Sequence, residues 1–119
     1  MSGQDAVEKI LAPFLVHGIC KSEAEALSML ARDYAQRQMQ RYADRVAHFR
    51  SLYQTSVEQF AGQVGALCGG RGEIAALARL DTAAQVVQAE DDLEEWEAAE
   101  RFLARWQAVE ADLQDAAAA

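Results

Sequence analysis

Residues 81–113, DTAAQVVQAEDDLEEWEAAERFLARWQAVEADL, belong to the longest run of the chain without glycine or proline and contain both of its tryptophans. Thr82 is suited to cap a helix, and Gln85, three residues later, completes a capping box. The large apolar side chains recur at intervals of three, four and seven, so they share one helix face: Leu93, Trp96, Leu103, Trp106 and Leu113. These features predict one long helix from Thr82 to about Leu113, with an apolar face that packs against a partner.

The composition of the whole chain favours helices. Its 119 residues fit the usual size of one domain, so we expect a single domain over residues 1–119. Apolar residues make up 51% of the chain, there is one proline, and no alternating run of five or more residues resembles a strand. The predicted fold class is therefore all-α.

A short first helix is predicted near the N-terminus, opened by Gln4 or Asp5. Pro13 disfavours an uninterrupted helix, because it lacks an N–H and its ring clashes with the preceding turn. The helix therefore either starts late, with Pro13 in its first turn, or bends there. Gly18 suits the left-handed position that follows a helix end.

A long central helix follows a clear capping signal. Ser22 can accept a hydrogen bond from the amide of Glu25, while Glu25 reaches back toward the helix start. The helix is predicted to reach about Leu52. Its apolar stripe slips by five residues between Tyr34 and Met39, so the two halves of the helix should face different neighbours.

A second capping box, Thr55-Ser56-Val57-Glu58, predicts a short third helix. Three glycines around Arg71, at positions 69, 70 and 72, then form a flexible hinge at residues 69–72 before the acidic C-terminal helix. The expected architecture is a bundle of four helices, and we expect it to dimerise, because the apolar face of the last helix is wide enough to pack on two sides.

Negative charge is concentrated in the C-terminal helix. The formal net charge of the chain is −8, and residues 81–115 hold eleven acids against two arginines, a net −9 that leaves the first 80 residues near neutrality. Such an arm disfavours general binding to phosphate backbones. It suits a basic protein partner, since complementary fields speed association and exclude wrong partners. The alternative is a helix face that is merely solvated.

Residues typical of catalysis or metal binding form no recognisable pattern. A di-metal helical site needs Glu-x-x-His spacing, and neither His17 nor His48 follows a glutamate at that distance. Cys20 and Cys68 are isolated, so reduced, cytoplasmic thiols are expected. We predict no enzyme activity, no cofactor and no metal. The sequence also shows no signal-peptide pattern and no apolar run long enough to span a membrane.

Aromatic and acidic residues of the C-terminal helix are the candidates for partner binding. An aromatic stripe on a helix is most often core, and otherwise it forms a face on which a partner docks. Phe102 lies off the main stripe and widens the apolar face. The candidate partner-contacting residues are Asp92, Glu95, Trp96, Phe102 and Trp106.

A second candidate surface is a basic row on the central helix, where Arg37, Arg41 and Arg45 follow one another at intervals of four. The row either pairs with carboxylates of the same or another chain, or contacts phosphates, or is solvated. Three functions stay open: protein–protein interaction through the acidic helix, DNA binding by a regulator through the row, and a structural helical oligomer. Nucleic acid is the less favoured partner.

Two passages, which together cover most of the chain, are similar to known proteins. Residues 18–27, GICKSEAEAL, resemble the helix-turn-helix passage of ribbon-helix-helix antitoxins, with a glycine turn, a serine cap, a glutamate and then Ala-Leu. Residues 42–60 and 90–99 resemble small helical prokaryotic antitoxin-like proteins. Those proteins share a tyrosine-rich long helix, a Ser-x-x-x-Phe turn and an acidic helix with an Asp-x-x-Glu-Trp-Glu core.

The resemblance implies a dimeric protein whose acidic C-terminal arm wraps and neutralises a basic toxin, commonly a ribonuclease. The sequence departs from the family at its start. Ribbon-helix-helix proteins read DNA with a strand ahead of the first helix, and only about five residues precede the helix here. The DNA-reading residues of that family therefore have no counterpart in this sequence.

Overall fold

The computed structural model describes residues 3–68 and 83–118. They form four α-helices: α1 (Gly3–Val16), α2 (Glu23–Tyr53), α3 (Val57–Cys68) and α4 (Ala83–Ala118). No strand occurs in the described ranges, and the all-α prediction is confirmed. The predicted hinge at residues 69–72 and the Thr82 cap lie outside the described residues.

The helices contribute to two compact units. The terminal unit consists of Met1–Gln38 and Trp106–Ala119, and the middle unit consists of Met39–Arg105. Both α2 and α4 supply one segment to each unit. The division within α2 falls at the five-residue slip in its apolar stripe, which agrees with the prediction that its two halves face different neighbours.

The end of α1 is fixed by a glycine. Gly18 has a φ of 71°, and the amides of Gly18 and Ile19 donate to the carbonyls of Leu15 and Phe14, at 3.1 and 2.9 Å. This pair of bonds is the Schellman arrangement, which satisfies carbonyls that the helix end leaves open. The prediction for Gly18 is confirmed.

The position of Pro13 settles one of the alternatives left by the sequence. Pro13 lies inside α1, which begins at Gly3, so the helix does not start late. The core of the terminal unit forms on the same helix, where Leu11 is buried with Cys20 and Ala26, and three partly buried side chains pack against them: Phe14, Leu15 and Leu30. Packing by these residues offsets the one backbone hydrogen bond that proline cannot donate.

The starts of α2 and α3 are both capped by serine. The amide of Glu25 donates to Ser22 Oγ at 3.1 Å, as expected for this box. Glu25 Oε2 reaches back one residue further than the cap and accepts from the amide of Lys21 at 3.2 Å. The second box was predicted one residue too early. The amide of Gln59 donates to Ser56 Oγ at 3.2 Å, so Ser56, not the residue before it, is the cap of α3.

The core of the middle unit is aromatic and centres on Trp96, which is 0% exposed. Its ring lies 5.8 Å from that of Phe49, 5.5 Å from Phe60 and 6.3 Å from Tyr53. Four smaller side chains complete the buried cluster: Val46, Val64, Ala89 and Ala99. The indole N–H has no hydrogen-bond partner among the described residues, so packing and ring contacts hold this side chain.

The last helix is longer than its apolar pattern predicted. It continues past Leu113 to Ala118, through a run of alanines. Alanine has the highest intrinsic helix propensity, so the run extends the helix without needing a buried face. Within residues 3–68 and 83–118, no helix has the length and apolarity that a membrane span requires.

Replacing Gly18 with alanine should lower the free energy of unfolding by about 1 to 2 kcal/mol, because an L-residue pays that much for the left-handed conformation. Space is not the cause, since no heavy atom lies within 4 Å of a Cβ built at Gly18. Gly62→Ala is the matched control, because Gly62 is an open helical position in α3. It should raise stability by about 0.5 to 1 kcal/mol. Urea unfolding checks both, and equal effects would contradict the assignment.

Replacing Trp96 with alanine should cost about 3 to 5 kcal/mol, since it removes the largest buried side chain of the middle unit. Trp96→Phe should cost clearly less, because it keeps a ring at the centre and loses no hydrogen bond seen among the described residues. Unfolding by urea, followed by circular dichroism, measures both. A cost below about 1 kcal/mol for Trp96→Ala would place Trp96 outside the core.

Candidate functional site

Helix α4 concentrates seven carboxylates between Glu90 and Glu100. Successive residues of a helix are rotated by about 100°, so these carboxylates cannot all face the same way. Three of them make contacts within the middle unit, at Asp92, Glu95 and Glu100. The carboxylates that point inward stabilise the fold, and those that point outward are available to a partner.

Asp92 is the inward carboxylate and is only 8% exposed. The hydroxyl of Tyr53 donates to its Oδ2 at 2.5 Å, and the Gln88 side-chain amide donates to its Oδ1 at 2.8 Å. A buried carboxylate is tolerated when its oxygens accept hydrogen bonds in this way. The hydrogen bond between Tyr53 and Asp92 thus connects the end of α2 to α4 inside the middle unit.

The environment of Tyr53 keeps its hydroxyl protonated. Burial, the hydrogen bond to Asp92 and the negative charge of Asp92 together raise the pKa of Tyr53 well above its usual value of about 10. The phenol therefore remains a donor throughout the physiological range. Its ring also lies 4.0 Å from that of Phe60, so one side chain serves both the polar contact and the aromatic core.

Two ion pairs flank this contact on the same two helices. Arg45 pairs with Glu95, and Arg50 Nη2 lies 3.4 Å from Glu100 Oε1. The side chains of Arg45, Glu95 and Arg50 are about half exposed, so each pair contributes about 0 to 1 kcal/mol. Their main effect is to hold the register of α2 against α4.

Four carboxylates remain, and one of them, Glu90, also makes an interaction. The other three point outward: Asp91, Glu94 and Glu97. We call these three residues the acidic face. All are exposed, and none forms an ion pair among the described residues. They lie within an arc of about 120° on α4. The negative charge of this helix is therefore in excess of what the fold uses, and the excess faces solvent.

An aromatic shelf lies on the middle unit, formed by Tyr42 of α2 and Phe102 of α4. The two rings are stacked with centroids 5.3 Å apart, and Phe102 is 40% exposed. The guanidinium of Arg41 sits 5.7 Å from the Tyr42 ring, and that of Arg105 sits 5.6 Å from the Phe102 ring. Aromatic rings flanked by arginine are typical anchors of protein interfaces.

The shelf opens into a pocket of about 670 Å³ on the same unit. The residues lining it include Arg41, Arg45, Glu95 and Phe102, four of the residues singled out from the sequence. His48 also lines it. The pocket combines both signs of charge with an exposed ring, which suits a peptide surface better than a single anionic group.

The structure separates the other predicted residues. Asp92 and Trp96, expected to contact a partner, are buried in the core of the middle unit, so in this conformation they act through the fold and not through a surface. Trp106 is half buried in the terminal unit, where its ring meets that of Tyr34 edge-on at 5.4 Å. Arg37 belongs to the same unit and pairs with Asp33 at 3.0 Å.

Gln88 and Arg105 are among the contributors to the site that were missed from the sequence. Gln88 stands four residues before Asp92, a spacing that allows a side-chain hydrogen bond on a helix. This contact could therefore have been predicted from the sequence. Arg105 could not be found in this way, because its contact with the shelf depends on where Phe102 meets Tyr42 across two helices.

Among residues 3–68 and 83–118, no three histidine, cysteine, aspartate or glutamate side chains come together as metal ligands. No protein-family model, curated protein or solved structure matches this chain. The acidic face and the aromatic shelf are therefore the features of this chain that bear on its function.

Removing the hydroxyl of Tyr53 should destabilise the protein. Tyr53→Phe keeps the ring contacts but leaves Asp92 with one fewer donor, which should cost about 1 to 3 kcal/mol at pH 7. Urea unfolding measures the loss. Tyr42→Phe is the control, because no hydrogen bond of the Tyr42 hydroxyl is found among the described residues, and it should cost less than about 0.5 kcal/mol.

The same contact predicts a loss of stability in alkali. Because the folded-state pKa of Tyr53 is raised above its unfolded value, the stabilisation is complete below about pH 10 and is lost as the pH rises beyond it. The free energy of unfolding of the wild type should therefore fall more steeply above pH 10 than that of Tyr53→Phe. Parallel slopes for the two proteins would contradict the assignment.

Proposed function

We propose that this protein is a protein-interaction module that binds a basic protein partner through the acidic face of α4, with the aromatic shelf as an apolar anchor. The observation that supports it most is the division of the carboxylates. Those at positions 92, 95 and 100 are engaged within the fold, whereas Asp91, Glu94 and Glu97 are exposed and form no ion pair with residues 3–68 or 83–118.

Unpaired surface charge of one sign favours a partner of the opposite sign. Such charge raises the rate of encounter and penalises wrong partners, although it adds little affinity by itself. The shelf can supply the affinity that surface charge does not, because aromatic side chains are frequent among the few residues that carry most of the binding energy of an interface. Acidic face and shelf lie on the same unit, so one partner surface that is basic and apolar would match both.

The arrangement of the basic row gives less support to nucleic acid as the partner. Arg37 is paired with Asp33, Arg45 is paired with Glu95, and Arg41 lies over the Tyr42 ring. Arginines engaged by carboxylates give a weak field for phosphates, and the middle unit is acidic overall. DNA binding therefore remains the alternative, and gel shifts on the upstream region of the gene at about 0.15 M salt test it.

The resemblance to antitoxin-like proteins suggests which basic partner to try first. A small basic protein encoded beside this chain, such as a ribonuclease toxin, fits the charge of the acidic face. Co-expression followed by pull-down and titration calorimetry would measure the complex. Failure to form any complex with that neighbour would count against the antitoxin-like role.

Neutralising the acidic face should weaken the complex without harming the fold. The triple variant Asp91→Asn, Glu94→Gln and Glu97→Gln should raise Kd by about 10-fold at low salt. The increase should be smaller at 0.5 M salt, because salt already screens the attraction between the acidic face and a basic partner in the wild type. Thermal unfolding should change little, since the three side chains are exposed and unpaired.

A matched control lies on the same helix. The triple variant Glu110→Gln, Asp112→Asn and Asp115→Asn removes the same charge from the terminal unit. At about 0.15 M salt it should leave Kd within about 2-fold of the wild type, because these three side chains lie outside the acidic face and charges that do not touch the partner are screened. If both triple variants weaken binding equally, net charge alone acts and the acidic face is not the binding site.

A further inference from the structure

Exposed apolar surface is concentrated in the terminal unit. Eight of the eleven large hydrophobic side chains that are exposed among the described residues belong to it, although the middle unit is the longer of the two. The buried core of the terminal unit is small, with Leu11 as its one large, fully buried side chain within the described ranges. Where such side chains lie together on a surface, they mark a contact with another molecule.

Part of this surface is a groove. It has a volume of about 930 Å³ and lies between the first half of α2 and the C-terminal end of α4, both in the terminal unit. Its apolar lining includes Leu27, Ala31, Leu113 and Ala116. Along α2 it extends from Ala24 to Gln36, a length of about 18 Å at 1.5 Å per residue, which matches about three turns of a docked helix.

The same segment of α2 presents a ridge next to the groove. Leu27, Ala31 and Tyr34 follow the spacing i, i+4, i+7 and so share one face. Leu27 is 48% exposed and Tyr34 is also exposed. Small alanines beside large exposed side chains allow the ridge of one helix to enter the groove of another. One surface thus contains both halves of a helix–helix contact.

The charges on the rim decide between possible occupants. The groove is bordered by Glu25, Arg32 and Asp33, and Asp33 is already paired with Arg37. Arg32 forms no ion pair among the described residues. A rim with both signs offers little to a strongly basic or acidic partner. A two-fold arrangement can place the cation of each copy opposite a carboxylate of the other, so a rim with both signs suits a second copy of the chain.

We propose that this groove binds a second copy of the chain, with the first half of α2 packed against its counterpart about a two-fold axis. In such a dimer, Leu27 of each copy packs into the groove of the other copy, so it is the main apolar anchor on both sides of the interface. The surface shares no residue with the acidic face, so the proposal does not depend on the proposed function, and one can fail while the other holds.

Sedimentation equilibrium across the micromolar range tests the proposal, with Leu27→Lys as the main variant. The wild type should be a dimer, and Leu27→Lys should raise the dimer dissociation constant by about 30-fold or more, since two buried anchors are lost per dimer. Arg32→Glu, which places acids opposite acids across the axis, should also weaken the dimer. Circular dichroism should show unchanged helix content for both, because neither side chain belongs to a core cluster.

The control is Leu52→Lys, which makes the same change on the same helix but in the middle unit, at a side chain that is 55% exposed. It should leave the dimer intact. A wild type that is monomeric throughout would overturn the proposal, and so would a dimer that Leu52→Lys disrupts while Leu27→Lys does not. A third outcome would also overturn the proposal. If the wild type is monomeric but co-purifies with a different protein, and Leu27→Lys abolishes that association, the groove binds another occupant.

Discussion

The hydrogen bond between the Tyr53 hydroxyl and the Asp92 carboxylate is the contact on which the middle unit depends. Tyr53 is the last residue of α2, and its ring joins the aromatic cluster around Trp96 while its hydroxyl meets α4. A buried carboxylate without donors would cost several kcal/mol, so its position is tolerated only where Tyr53 and Gln88 both reach it. Apolar packing supplies the stability, and the polar contact selects the register in which the two helices pack.

That register decides what α4 presents to solvent. Once Asp92 and Trp96 point inward, the 100° rotation per residue directs Asp91, Glu94 and Glu97 outward. The ion pairs of Glu95 and Glu100 lie at the flanks, where α2 supplies arginines. An acidic surface is therefore a consequence of how the core is built as well as a candidate site. This explains how one helix can serve both as a structural element and as the proposed binding surface.

Capping residues, glycines and apolar spacing predicted much of the fold. They could not predict which side chains meet between helices. The Ser22 cap and the Gly18 helix end depend on neighbours three to five residues away, and the structure confirms both. The stripe was expected to be core more often than docking face, and Trp96 is core, whereas Trp106 is half buried in the terminal unit and Leu113 lines a groove there. The burial of Asp92 was not foreseen, because carboxylates on a dense acidic helix are normally solvated and only the position of Tyr53, 39 residues earlier, changes that. The stacking of two rings into a shelf likewise depends on helix register, which no local pattern specifies.

The most direct test compares two adjacent aspartates given the same substitution. Asp91→Ala removes an exposed carboxylate that has no ion pair in the described part of the chain, and Asp92→Ala removes the buried acceptor of Tyr53 and Gln88. Urea unfolding at pH 7 should show a change within about 0.5 kcal/mol for Asp91→Ala. For Asp92→Ala it should show a loss of about 1 to 3 kcal/mol, because the partly buried hydroxyl of Tyr53 loses its acceptor. Equal effects of the two substitutions would contradict the division of the α4 carboxylates into structural and surface groups.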